Sequence, residues 1–130
     1  MILQVKYEDA IRYYREAFKL EPNSEYTANK LAWYLATIND AKVRNGNEAV
    51  KIAKLACKIT NYSDPITLDT LATAYAESGR FKEAIKMAQK ALDLAQSEGE
   101  EDLAKEIQNR LQLFKKNKPF HSLPLAKKHL

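Results

Sequence analysis

Apolar residues recur along this chain at intervals of three and four, the spacing that places them on one face of an α-helix. One such set is Leu103, Ile107, Leu111 and Phe114. Proline and glycine mark where several of these stretches stop, as Pro22 and Gly79 do. The pattern predicts an all-α protein with helices near residues 3–20, 24–38, 47–60, 65–78, 81–95 and 98–117.

The alanines of three predicted helices align with one another. Segments 10–17, 49–56 and 84–91 each have an Ala, an aliphatic residue one later and a second Ala seven later. The second segment starts 39 residues after the first, and the third starts 35 residues after the second. A related pair of segments, 28–35 and 68–75, precedes the last two. A unit of two helices recurring at a little over 34 residues is typical of helical repeat arrays.

Small side chains let two helices approach closely where they cross. The alanines expected at these crossings are Ala32, Ala49, Ala56, Ala72, Ala84 and Ala91. The last helix repeats nothing and is interpreted as a cap on the open end of the array, because a terminal repeat needs a polar outer face.

On these segments the chain resembles the tetratricopeptide repeat (TPR) superfamily from residue 7 to about 117, and is most similar to a bacterial subtype. The similarity also lies in Arg44–Val50 and in the closing Leu111–Pro119. It implies an α-α superhelix, a TPR solenoid, of about 2.5 repeats with a C-terminal capping helix. The expected division is a half repeat at 3–22, repeats at 24–61 and 65–95, and a capping helix at 98–117. Together they make one domain, 1–117, followed by a basic tail, 118–130.

The first helix matches only the second helix of a repeat. Four apolar residues are therefore expected to have lost part of their cover: Leu3, Ile11, Tyr14 and Phe18. Either upstream sequence is missing, which we favour, or another copy of the chain covers this face as a homodimer. The compartment follows from neither hypothesis. We take the cytoplasm as the default and an extracytoplasmic location as the alternative if upstream sequence is missing.

The resemblance implies that the first helix of each pair lines a concave groove. The side chains expected there are Tyr26, Asn29, Lys30, Trp33, Thr37, Asp69, Thr70, Thr73 and Glu77. Asn29 would bond either a peptide backbone or a neighbouring helix. Trp33 would be either an anchor for a partner or a packed residue within the repeat. One Lys, one Asp and one Glu favour a mixed polar and apolar peptide over a cluster that grips a terminal carboxylate.

We therefore expect a scaffold or adaptor that binds a protein or peptide segment and has no catalytic activity. A homo-oligomerisation module is the alternative, and an RNA-binding helical repeat is a third hypothesis. The net charge is +4, but five lysines follow residue 114, where acids are absent, so the body is near −1. That balance predicts no nucleic-acid partner. No apolar run approaches the roughly 18–20 residues that a membrane span needs.

Residues that could carry chemistry are few. Cys57 is the single cysteine and is expected to be a buried thiol. The two histidines, His121 and His129, lie in a tail without acids, so no metal or cofactor is predicted. Residues 39–44 form a longer loop than usual, either a solvated insertion or a contact for a partner. The acidic run 98–102 is interpreted as compensation of the last helix's dipole.

Overall fold

The computed structural model describes the backbone of residues 2–122 and the side chains of residues 7–122. Over residues 2–122 the chain forms six helices and no strand, which confirms the all-α prediction. The helices are α1 (Ile2–Leu20), α2 (Glu25–Thr37), α3 (Gly46–Ile59), α4 (Pro65–Glu77), α5 (Phe81–Ser97) and α6 (Glu101–Lys115). Among these residues no helix is long and apolar enough to cross a membrane.

Polar side chains determine where three of the helices begin. Ser24, Asn45 and Asp64 each accept a hydrogen bond from a backbone N–H in the first turn of the helix that follows. These bonds satisfy N–H groups that have no partner within their own helix. Pro65 lies at the first helical position of α4, where its missing N–H costs nothing.

The last helix begins at Glu101, three residues later than predicted. Gly99 adopts a φ of 73°, a left-handed conformation that turns the chain between α5 and α6. Glu98 is consequently the C-cap of α5, outside the first turn of α6. Only Glu101 and Asp102 lie in that first turn, so the dipole interpretation applies to these two residues and not to the whole run.

Consecutive helices pack on one another, and the first helices of the two complete pairs, α2 and α4, also pack side by side. All six alanines that were expected at helix crossings are fully buried. Larger side chains such as Leu31, Leu71 and Leu111 fill the space beside them. The core therefore runs as one continuous layer along a helical-repeat solenoid.

The first helix has more cover than the sequence suggested. Ile11 is buried with Tyr7, while Tyr14 and Phe18 are partly buried against the same core. Tyr14 stacks on Tyr34 of α2, with 5.5 Å between ring centroids. The expectation of lost cover is therefore wrong for Ile11, because α2 supplies that cover; the side chain of Leu3 lies outside the described residues.

A salt bridge also connects α1 to the first complete repeat. The Arg15 guanidinium donates two hydrogen bonds to the Glu48 carboxylate of α3, one of them 2.9 Å long. This pair lowers the pKa of the Glu48 carboxyl, chiefly through those hydrogen bonds.

The long loop between α2 and α3 folds back on the repeat. Asn45 N–H donates to the Leu35 carbonyl at 2.8 Å, and Arg44 donates to the Ile38 carbonyl at 2.9 Å. Arg44 also bonds Glu77 at the end of α4, 3.1 Å away. Gly46 then starts α3 against α4, where a Cβ atom would lie 2.9 Å from the backbone of Glu77. The loop thus holds the C-terminal ends of α2 and α4 together.

Candidate functional site

Three helices contribute side chains to a cavity of about 460 Å³ on one face of the solenoid. Helices α2 and α4 are the first helices of their pairs. Helix α6 takes the position that the first helix of a third pair would have. The lining consists of Asn29, Lys30 and Trp33 from α2, Ile66, Asp69 and Thr70 from α4, and Leu103, Glu106 and Arg110 from α6, with Phe120 and Ser122. We call this face the groove.

A buried ion pair lies at the centre of the groove. Arg110 donates to both carboxylate oxygens of Asp69, at 3.0 and 2.7 Å, and both side chains are buried. Burial raises the pKa of the Asp69 carboxyl above its usual range, and the Arg110 guanidinium opposes that rise. Asp69 was expected to offer its charge to a ligand; instead Arg110 neutralises that charge within the protein.

The Arg110 guanidinium also lies beside two aromatic rings that contact each other. Its carbon is 5.2 Å from the ring centroid of Trp33 and 5.2 Å from that of Phe120. The two rings are 5.8 Å apart. A planar cation of this kind stacks well on aromatic faces while its edge bonds a carboxylate. Trp33 therefore packs within the chain, yet it still lines the cavity.

The side chain of Asn29 has a hydrogen-bond acceptor without a donor. Its carboxamide oxygen is buried and has no hydrogen-bond partner among the described residues. It bonds no neighbouring helix, which was one of the two interpretations of Asn29. An acceptor without a donor costs free energy, on the order of 1–3 kcal/mol, unless a donor reaches it. Asn29 lines the cavity, so this acceptor belongs to a residue that a molecule bound there would touch.

Next to Asn29, Lys30 lines the cavity, while Tyr26, also expected in the groove, lies outside the cavity lining. The Lys30 ammonium lies 5.8 Å from the centroid of the Tyr26 ring, which is 60% exposed. This arrangement leaves an aromatic surface and a positive charge accessible beside the cavity.

Three predicted threonines do not present free hydroxyls to the groove. The hydroxyls of Thr37, Thr70 and Thr73 each donate to the backbone carbonyl four residues earlier in the same helix. Thr37 and Thr73 are buried and lie outside the cavity lining, which corrects their assignment. Helical threonines bond in this way because the carbonyl one turn back is within reach of the hydroxyl.

After α6 the chain reverses direction. Asn117 adopts a left-handed φ of 59°, and its N–H donates to Phe114 while Lys118 N–H donates to Leu113. These two bonds form the Schellman ending of a helix, and Pro119 prevents the helix from continuing. Residues 118–122 were assigned to a basic tail, yet Phe120, His121 and Ser122 contact the helices that form the groove. Residues 123–130, with His129, lie outside the described part.

Three contacts hold this segment, and they reach three helices. Phe120 packs on Trp33 and Arg110, as described above. His121 Nε2 lies 2.7 Å from Glu77 Oε1 at the end of α4. Ser122 N–H donates to the Thr37 carbonyl at the end of α2, at 2.7 Å. Glu77, expected to face a ligand, is therefore engaged by His121 and by Arg44.

Arg110 and Phe120 were not predicted from the sequence as groove residues. A signal for Arg110 existed, since it lies 40 residues after Thr70 and Thr70 lies 40 after Lys30. Each of the three precedes a buried Leu, so α6 continues the register of the first helices. Phe120 had no comparable signal, because its position depends on the chain reversal at Asn117 and Pro119.

No group of three or more His, Cys, Asp or Glu side chains suited to a metal ion occurs within the described residues. The Cys57 thiol is buried and lies 3.3 Å from the Thr67 carbonyl, to which it donates. Burial raises the pKa of this thiol to about 11. A thiol with that pKa is almost entirely protonated near neutral pH and is a poor nucleophile.

Residues 66–98 match the sequence model of the family described as Tetratricopeptide repeat. The matched segment coincides with α4, its turn and α5, which form the second complete helix pair. No curated protein matches the chain. Repeats of this family generally mediate protein–protein interactions and are typically non-catalytic. From this helix pair, its alanine crossings and this match, we conclude that residues 66–98 form a tetratricopeptide repeat.

Proposed function

We propose that this protein is an interaction scaffold that binds a peptide or protein segment in the groove formed by α2, α4 and α6. The observation that carries the proposal is the Asn29 carboxamide oxygen, which is buried beside the cavity without a donor. A peptide backbone presents an N–H at nearly every residue, and one of these can satisfy this oxygen.

The remaining lining indicates the character of the bound segment. Trp33, Leu103 and the half-exposed Ile66 provide apolar surface. Lys30 and Glu106 provide one charge of each sign at the groove, while Asp69 and Arg110 neutralise each other. A segment with mixed polar and apolar side chains fits this surface better than a strongly acidic or basic one.

The proposal is tested by selecting peptides from a phage-displayed library against the wild-type protein and measuring their affinities by fluorescence anisotropy. The variant is Asn29→Leu, which removes the acceptor and keeps a side chain of similar size. Loss of one hydrogen bond of about 1.4 kcal/mol lowers the affinity about tenfold. The control is Asn47→Leu, an exposed asparagine on α3, which does not line the groove.

Equal affinity of the selected peptides for wild type and Asn29→Leu would remove the support for this site, as would a selection that yields no binding peptide. Thermal unfolding of both variants checks that neither change alters the fold.

Self-association is a second candidate, because the outer surface of α1 exposes Tyr13 at 68% and Leu20 at 81%. Exposed apolar residues on one helix can form a contact between two copies. Sedimentation equilibrium of wild type and of Tyr13→Ser with Leu20→Ser tests it. A dimer that the double variant abolishes supports this candidate, and a monomeric wild type rejects it.

A further inference from the structure

Residues 119–122 of the chain meet the groove in the way that a bound peptide would. One side chain, Phe120, covers a pocket made by Trp33 and Arg110. One backbone N–H, that of Ser122, reaches a carbonyl at a helix end. Side-chain packing combined with main-chain hydrogen bonding is how peptides are generally held in grooves. This segment therefore shows which contacts the groove can make with a chain in an irregular, non-helical conformation.

The pocket under Phe120 is selective for a flat ring. Asp69 already satisfies the edge of the Arg110 guanidinium with two hydrogen bonds, so little of its charge remains to attract an anion. Trp33 covers one region of the guanidinium, and Phe120 covers another. A planar, weakly hydrated cation in this setting favours an aromatic ring over an aliphatic or charged side chain.

The segment also leaves part of the groove free. Asn29 and Lys30 line the same cavity as Phe120 and Ser122, yet the Asn29 oxygen receives no donor from the segment. A longer ligand that placed a ring in the pocket and a backbone N–H at Asn29 would make the aromatic contact of the segment and a hydrogen bond that the segment lacks. Such a ligand has the contacts needed to replace it.

We propose that the partner of the groove is a non-helical peptide segment with an aromatic side chain that occupies the position of Phe120, and that residues 119–122 are an internal competitor which this partner displaces. The inference rests on the function proposed above and specifies its ligand. A segment tethered by the few residues after α6 is present at a millimolar effective concentration, so it competes well with a ligand in solution. The groove is then available only in the fraction of molecules whose segment has detached.

The test uses the full chain and a fluorescein-labelled peptide with the sequence of residues 116–122, Lys-Asn-Lys-Pro-Phe-His-Ser. The protein variant is Phe120→Ala with His121→Ala, which removes two of the three contacts of the internal segment. We expect anisotropy to show that the peptide binds this variant at least about tenfold more tightly than wild type, the ratio for a groove that is open in a tenth of molecules.

Two controls identify the pocket. We call the protein with Phe120→Ala and His121→Ala the opened variant. A labelled peptide with Ala in place of Phe should not bind it. Unlabelled peptides with Tyr or Trp at that position should compete with the labelled one, and a peptide with Leu should compete poorly. Circular dichroism should show unchanged helicity in the opened variant, because Phe120 and His121 lie outside the six helices.

Equal affinity of the labelled peptide for wild type and the opened variant overturns the inference. Absence of binding to both proteins at about 1 mM also overturns it, because that is the effective concentration at which the tether holds the internal segment. The proposed function is kept and the internal competitor is rejected if library-selected peptides lose affinity with Asn29→Leu but bind wild type and the opened variant equally. The opposite result, in which the labelled peptide binds only the opened variant while selected peptides ignore Asn29→Leu, retains the aromatic pocket and rejects the site at Asn29.

Discussion

The Asp69–Arg110 pair gives a quantitative test of how the concave face is held together. Arg110→Met removes the guanidinium and keeps an unbranched apolar side chain beside Trp33 and Phe120. It leaves the Asp69 carboxylate buried without a counter-charge. Removing one partner of a buried pair costs about 3–5 kcal/mol of unfolding free energy. A domain of this size has about 5–15 kcal/mol, so the variant should remain folded and measurable.

The unfolding free energy lost through Arg110→Met should decrease as the pH falls. Burial raises the pKa of the Asp69 carboxyl, and loss of Arg110 removes the attraction that opposes this rise. The folded variant therefore holds a proton on Asp69 more tightly than the unfolded chain does. Stability relative to wild type is lowest near neutral pH and recovers as the pH falls toward the ordinary carboxyl value of about 3.9.

Urea unfolding followed by circular dichroism at pH 7 and pH 4.5 measures both effects. The double variant with Asp69→Leu should recover at least half of the loss, because no buried charge remains and the adjacent cavity can accept the larger side chain. A cost below about 1 kcal/mol for Arg110→Met, a cost that does not shrink at pH 4.5, or strict additivity of the single variants would refute this reasoning.

Two further predictions concern positions away from the groove. Gly46→Ala should lower the free energy of unfolding by about 1–3 kcal/mol, although Ala favours helices, because the new Cβ would lie 2.9 Å from backbone atoms of Glu77 and Ser78. The exposed neighbour Asn47→Ala serves as the control in urea unfolding, and an equally small effect of both changes would contradict the close approach. Cys57 should react with a disulfide reagent at pH 8 at least about a hundredfold more slowly in the native protein than in urea, since burial raises its pKa to about 11. Similar rates in both states would show that the thiol is accessible.

The fold was predictable because its signals are local and repeated. Alanine spacing and the helix ends at proline and glycine each depend on residues within one or two helical turns, so they can be read directly from the sequence. The start of α6 was missed because an acidic run before a helix resembles a first turn, while the left-handed conformation of Gly99 places Glu98 in the preceding helix end. The acidic composition of this run does not indicate whether a residue belongs to the end of α5 or to the start of α6.

Part of the cavity lining was predictable on the first helices of both pairs. Five of the nine residues expected at the groove line the cavity, three of them on α2 and two on α4. Arg110 was not predicted because α6 has Gln112 at the position where α2 and α4 have the alanines Ala32 and Ala72. The position of Phe120 depends on contacts with residues far away in the sequence, and such contacts produce no repeating pattern in the sequence.

The contact between Ser122 and Thr37 changes the mechanical character of the array. In a solenoid each repeat touches its neighbours only, so helices can shift by small amounts that add up along the superhelix. The segment that leaves α6 and ends on α2 closes this linear series into a loop, with His121 and Glu77 as an intermediate connection. These contacts oppose a change in the spacing of α2, α4 and α6. If a partner displaces the segment as proposed, that constraint is removed and the spacing between the first and last helices can adjust to the bound partner.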